Sequence, residues 1–395
     1  TGQPEVAPTW PACKIMWIKR HEPEVFAQTA KFLLLEDYLL YRLTGQFVTE
    51  YSLETSSMLL DIAHKHWWLP MFEFIGITPE HLGRLCEPGT PVGPVSAVGA
   101  DETGLSTHTV AVTGAMDQIV GAVGAGNIAP GIVTETTGGA LAIVATLERL
   151  VFDPHGRVPV NYHARPDTYC MLPWAQTAGM ALRWFRDRFY GLETQVALAS
   201  GLDPYELMTR AAQGVPAGSE GLVMLPHLEG AFCPEYNSAA RAVFFGATLG
   251  HTKAHFVRAV LEAVAYVLKR NLDLLEDFGI PVREVRSMGG GARSDFWLRI
   301  KADVLQKPVR TLEVEETACL GAAMMGATAT GHFGSLEEAA AEMVRLRETI
   351  EPGTSDLGAY QQGYARYCEL YELSLIHISE PTRLLSISYA VFCLK

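Results

Sequence analysis

The chain has no Cys-x-x-Cys pair and no His-Glu-x-x-His. Its seven cysteines, Cys13, Cys86, Cys170, Cys233, Cys319, Cys368 and Cys393, are scattered through 395 residues. An odd, widely spaced set fits a reducing compartment, the cytoplasm, better than a disulfide framework. Positive charge is also in short supply: 31 Lys and Arg face 44 Asp and Glu, a net charge of −13. That balance argues against nucleic acid or an anionic membrane as the main partner. A phosphorylated ligand stays compatible, because a few backbone N–H groups and one Mg²⁺ outweigh the global field locally. No apolar run is long enough to span a bilayer, and no signal peptide opens the chain. No internal repeat is visible either. Charged residues make up only 19% and hydrophobic residues 48%, enough core for two domains or for one large and one partial.

What the chain does have is an alternation of elements. The first hundred or so residues read as mostly helical, with apolar periodicity from Glu22 to Thr44 stopping at Gly45, a helix C-terminal cap. Pro88, Pro91 and Pro94 mark an irregular connector. Two β-prone runs, Ile132 to Thr136 and Leu141 to Val144, flank Thr137-Gly138-Gly139-Ala140 as a strand–turn–strand. A long amphipathic helix is predicted from Thr252 to Phe278 and a strand from Glu284 to Met288. The turn Gly289-Gly290-Gly291-Ala292 then leads to a helix from Ser294 to Leu305, a strand from Val309, and a small-residue helix from Cys319 to Thr330. Strands alternating with helices give an α/β fold. The composition shifts near Gly126, which sets domains of 1–126 and 127–373. Residues 374–395, rich in Leu, Ile and Ser and without glycine, break the pattern and read as a non-native tail.

Asp117 is the first candidate for chemistry. The β-prone run Val110 to Thr113 turns at Gly114 and delivers this carboxylate to the mouth of a helix of small residues, the way a general base is presented. The competing reading is that Asp117 only caps that helix. Gly138-Gly139 reads either as a phosphate-facing turn or as a plain hairpin turn. Gly179, opening the helix from Met180 to Tyr190, is a further turn of this kind. The Gly289 turn suits a nucleotide, since glycines admit close backbone approach and the helix N-terminus favours anions. It suits a dinucleotide too, with Glu313 as the ribose acid, although Ser294 falls where the third glycine of G-x-G-x-x-G belongs. Tight strand–helix packing explains the same glycines without any ligand. His64 and His66 lie in a polar turn, which favours solvent exposure over metal binding; His251 and His255 have i,i+4 spacing but no obvious Cys or carboxylate ligand nearby, so zinc is the minority reading and no metal ligand is assigned. Several glycine turns at strand ends favour phosphoryl transfer, with Asp117 taking the proton of an acceptor hydroxyl.

Three longer runs carry a resemblance. They are Pro11-Ala12-Cys13-Lys14-Ile15-Met16-Trp17-Ile18; Ala242 to Gly246 followed by His255 to Glu262, preceded by Pro226, Gly230, Pro234 and Arg241; and Met288 to Trp297 with Ala302-Asp303-Val304 and Gly321-Ala322-Ala323. In this order they resemble the signatures of the FGGY family of carbohydrate kinases, most closely its xylulokinase-like members, from about Pro11 to Tyr371. Thr9 and Ala247 depart from the usual residue types. The resemblance implies an actin/hexokinase-like (ribonuclease H-like) ATPase fold of two domains, the first incomplete. It implies ATP and Mg²⁺ as cofactors, a sugar or polyol as substrate, and a homodimer as a partner state.

Carried over by position, the resemblance makes Asp117 the catalytic base and Gln118 its neighbour in the acceptor site. Gly138, Gly139, Gly179 and Arg183 become phosphate and nucleotide contacts, and Gly290, Gly291, Ala292 and Asp295 flank the adenosine. Gly139 stands where Thr is usual, leaving only backbone to meet the phosphate. The family's Asp-x-Gly-Thr motif does not occur. The chain is therefore expected to start partway through the first domain and to be inactive alone. A nucleotide- or sugar-binding protein without turnover is the alternative, and an NAD-dependent oxidoreductase the more distant one.

Overall fold

The computed structural model describes residues 1–379, with side chains to Ser374; residues 380–395, most of the segment expected to be a non-native tail, lie outside the described residues. The molecule is built around an eight-stranded sheet. Its strands are β1 (Gly131–Thr137), β2 (Leu141–Leu147), β3 (Val160–Tyr162), β4 (Tyr169–Met171), β5 (Trp174–Ala175), β6 (Val282–Met288), β7 (Val309–Leu312) and β8 (Leu346–Ile350). They lie in the order β8-β7-β6-β1-β2-β4-β3, with β5 paired to β2. The pairs β1/β6 and β6/β7 are parallel; β1/β2 is the antiparallel hairpin the sequence predicts.

Six helices matter for the site: α1 (Asp117–Gly124), α2 (Gly179–Phe189), α3 (Lys253–Asp277), α4 (Asp295–Leu305), α5 (Thr317–Ala329) and α6 (Leu357–Ser379). On β2, Leu141, Ile143, Ala145 and Leu147 enter the larger core with α3 and α4, while Val144 enters the core of α1 and α5. This is the two-residue alternation of a strand buried on both faces. The long helix α3 buries Val260, Leu261, Val264, Leu268, Leu272 and Leu275, as its apolar spacing predicts. Helix α6 continues to Ser379, past residue 374 where the tail was expected to begin.

Two expectations are corrected. The periodic run Glu22–Thr44 is two helices, Pro23–Gln28 and Leu35–Thr44, because residues between them pair with another segment. Phe32 N–H donates to the His81 carbonyl at 2.7 Å, and Lys31 Nζ donates to the carbonyls of Glu80 and Leu82. Periodicity cannot register such a competing long-range bond. Gly45 does cap the second helix, with φ 77°. The proline-rich connector contains a short strand, Pro91–Pro94, antiparallel to Val110–Val112, where prolines tolerate an edge position.

Ahead of the sheet, Glu50 caps the helix Tyr51–Glu54, accepting from Ser52 N at 2.6 Å and Leu53 N at 2.7 Å. Glu54 is buried beside it, with Oε1 accepting from Thr49 Oγ1 at 3.0 Å and Oε2 unpartnered. Burial pushes both acids up to about 8. Burial also holds His163 and His227 down at about 4. The raised acids bind protons in the folded state that the unfolded chain releases, so their contribution is lost as pH rises towards 8. The depressed histidines contribute stability above their unfolded value and lose it as pH falls towards 4. The two effects overlap at mildly acidic pH, but of these four groups only the acids still act above neutrality. Urea unfolding is therefore expected to show stability falling from pH 7 to pH 8.5. Glu54→Gln should flatten that slope and be the more stable form at pH 8.5; an unchanged slope would remove Glu54 as its source.

Candidate active site

The parallel register of β1 and β6 sets the site. Met288 pairs with Thr136, so both strands end together and their turns, Thr137-Gly138-Gly139 and Gly289-Gly290-Gly291, emerge side by side at the carboxyl edge of the sheet. Ligands of open α/β sheets gather at such edges. A third segment joins them: Gly179 N–H donates to the Gly138 carbonyl at 3.0 Å, and Ala178 and Met180 N–H both donate to Gly139 O. A side chain at Gly179 would collide with that Gly138 carbonyl, which is why the helix must open on glycine.

The glycines of the second turn divide between the two readings of the sequence. Gly289 has φ 74° and lies against the Thr137 carbonyl, 3.1 Å from where its Cβ would be. A Cβ on Gly291 would stand 2.7 Å from Thr137 Cβ. These two serve backbone geometry and close packing. Gly290 faces open space, as do Gly138 and, apart from the tip of Met180, Gly139. Close packing and ligand access are thus both present in one turn.

The three segments enclose a cleft of about 790 Å³. Gly138, Gly139, Gly179, Arg183, Gly290, Gly291 and Asp295 all line it. Ala292 lies within the one-turn helix Gly290–Arg293 but is not in the lining. Ser294 caps α4 through Trp297 N, so the position that a dinucleotide fold gives to glycine holds a helix cap instead. Glu313 is exposed and outside the lining. Sequence reasoning missed Thr137, Tyr205 and Arg210, which also line the cleft. Thr137 adjoins Gly138 and was within reach; Tyr205 and Arg210 sit on a separate helix, Pro204–Gln213, with no local signal. Arg210 and Arg293 pair with Glu206 and Glu315, whereas Arg183 has no carboxylate partner among the described residues.

Asp117 and Gln118 stand apart from this lining. Asp117 is the exposed first residue of α1, and its Oδ1 accepts from Gln118 N at 2.6 Å. The helix N-cap is Met116, which makes no side-chain cap; its N–H donates to Ser52 Oγ at 3.0 Å. Asp117 therefore satisfies one N-terminal N–H and keeps its other oxygen free. Both readings of the residue survive in this geometry. Helix α1 crosses α5 with no space between backbones, since Cβ atoms added at Gly124 or Gly321 would strike Thr317 and Val120 carbonyls.

The histidine pairs resolve differently. His251 and His255 accept from Thr248 N and Thr252 N, so each closes a local turn. Asp61, His64 and His66 bring their ligand atoms within 4.8 Å of one another on the β-hairpin Leu60–Asp61/His66–Trp67, with His64 Nδ1 2.9 Å from Asp61 Oδ2. None of the three lines the cleft.

Residues 133–330 match the model of the FGGY family of carbohydrate kinases, C-terminal domain, and residues 1–124 match that of its N-terminal domain. The chain belongs to the FGGY family of carbohydrate kinases. It is 32% identical over 358 residues to the xylulose kinase of Bacillus subtilis, covering 91% of this chain and 70% of that protein. It is also 32% identical to the gluconokinase of the same organism over 339 residues, 85% of this chain and 66% of that protein. Among solved structures, the xylulose kinase of Rhodospirillum rubrum superposes with a TM-score of 0.85 at 30% identity, over 95% of this chain and 74% of that one. A glycerol kinase of Plasmodium falciparum, solved with ADP, shares the fold alone, with TM-score 0.80 at 19% identity. The fold is thus that of the FGGY sugar kinases, as the resemblance implied. The chemistry of the FGGY chain is ATP-dependent phosphorylation of a sugar, and no observation favours the non-catalytic or the NAD-dependent reading. Among the described residues, no helix is long and apolar enough to cross a membrane.

Proposed function

We propose that the cleft between the two glycine turns and Gly179 takes the nucleotide, and that Asp117 is the base for a sugar hydroxyl. The observation that carries this reading is the convergence of Gly138–Gly139, Gly179 and Gly290–Gly291 on one cleft, with backbone facing open space at Gly138 and Gly290. Nothing but backbone lines those points, which suits close approach by phosphates at Gly138 and by the nucleoside at Gly290. Arg183 supplies a cation to the same cleft. Gly290, Gly291, Ala292 and Asp295 then flank the adenosine. The acceptor sits beside Asp117 and Gln118, between a first domain of 1–126 and a second of 127–373. The acceptors to test are D-xylulose first and gluconate second, after the substrates in the names of the relatives.

A divalent cation, Mg²⁺ in our reading, would neutralise charge on the transferring phosphoryl group. The donor set fits an ion carried by the nucleotide. Among the described residues, the carboxylates of the lining, Asp203, Glu206 and Asp295, form no ligand trio, and Mg²⁺ typically needs one or two carboxylates besides phosphate and water. In catalysis, Asp117 accepts the hydroxyl proton as the oxygen attacks, and the backbone of the first glycine turn, with Arg183, holds the phosphates in line.

Calorimetric titration with ADP tests the nucleotide site directly. Wild-type protein should bind ADP, and Gly179→Ala should weaken that binding about tenfold or more, since its methyl group displaces the Gly138 carbonyl. Equal affinities would place the nucleotide elsewhere.

A further inference from the structure

Beneath the two turns lies a buried polar cluster that the reaction itself does not use. Lys301 of α4 and Glu135 of β1 both have fully buried side chains, with Nζ 2.6 Å from Oε1. Lys301 Nζ also donates to Thr137 Oγ1 at 2.9 Å, and Thr137 Oγ1 donates to Glu135 Oε2 at 2.6 Å. Ser287 of β6, the residue in register with Glu135, donates its hydroxyl to Glu135 Oε1. A Cβ placed on Gly291 would be 3.3 Å from Lys301 Nζ, so the ammonium sits directly under the second turn.

A buried ion pair is a poor source of stability, since desolvation offsets most of its Coulomb attraction and apolar replacements often do as well. Its geometry is more informative. One ammonium and one carboxylate reach three elements, the end of β1, the end of β6 and helix α4, and they meet under the two glycine turns. Glycine turns are themselves the most permissive stretches of backbone. Something other than local conformational preference must hold them.

We propose that Lys301 and Glu135 are positioning residues: a buried pair that fixes Thr137 and locks the phosphate-facing turn Gly138–Gly139 in register with the turn Gly290–Gly291 beside it. This rests on the nucleotide reading of the cleft given above. Neither residue lines the cleft. The pair's effect passes through Thr137, whose hydroxyl it turns inward, to the backbone of Gly138 and Gly139. Its larger effect therefore falls on the phosphate end of a nucleotide rather than on the nucleoside.

The test compares ADP and adenosine binding by calorimetry in the wild type, in Lys301→Met, and in Lys301→Met combined with Glu135→Gln. The double variant leaves no unpaired buried charge and is the one read if the single variant does not fold, as judged by thermal unfolding. Loss of about tenfold or more in ADP affinity with a clearly smaller loss in adenosine affinity is the expected result. ADP affinity equal to wild type in the folded double variant would overturn the proposal, as would parallel loss of ADP and adenosine. Wild-type protein that binds neither compound would instead remove the nucleotide reading on which the proposal stands.

Discussion

Asp117→Asn should lower the rate of sugar phosphorylation by about 10²–10⁴-fold, the usual contribution of a positioned general base. The affinity for ADP should not change, because Asp117 does not line the nucleotide cleft. Asparagine keeps the side-chain oxygen that accepts from Gln118 N, so the start of α1 is preserved. The residue is exposed, and a surface substitution that keeps its local bond costs little stability. The variant thus separates the two readings of the residue: loss of a mere helix-terminal carboxylate would leave turnover nearly intact. A coupled ADP-release assay with D-xylulose and with gluconate measures the effect. An Asn variant as fast as wild type would strip Asp117 of its role.

The second large effect is expected at the crossing of α1 and α5. A Cβ on Gly321 would fall onto the Val120 carbonyl and stand 2.9 Å from Gly124 N. Contacts of that kind involve backbone on both sides, so neither helix can yield by rotating a side chain. Gly321→Val should therefore force the helices apart, at a cost of about 1–3 kcal/mol or more. Because α1 begins at Asp117, the displacement also moves the proposed base. Gly326→Val is the control on the same helix, since a Cβ there meets nothing. Urea midpoints of the two variants should differ clearly, with Gly321→Val the lower. Similar midpoints would mean that the helices can separate freely.

Much of the site was legible in the sequence because its parts are local. Gly138, Gly179 and Gly290 announce backbone that must be close to something, and the strand and helix periods around them say where each turn falls. The chemistry of Asp117 was only half legible: a helix-terminal carboxylate looks the same in either role, and its exposure in the structure leaves both open. Lys301 was not legible at all. A lysine inside Asp295–Leu305 reads as a solvated position on an amphipathic helix, and only the approach of Glu135, 166 residues away in sequence, makes it a buried one. Asp61 likewise joined His64 and His66 only through the hairpin that brings them together.

The sequence by itself determined the α/β alternation, the hairpin around Gly138–Gly139, the long helix Lys253–Asp277 and the order of the family signatures. These follow from short-range rules: side-chain period, capping, and the conformations glycine permits. The tertiary structure alone decided that β1 and β6 run parallel with Thr136 opposite Met288, which makes two distant glycine turns one cleft. It also broke the Glu22–Thr44 periodicity at Phe32 and buried an ion pair beneath the turns. Such outcomes depend on which distant backbone and side-chain groups satisfy one another, and no local preference encodes that pairing.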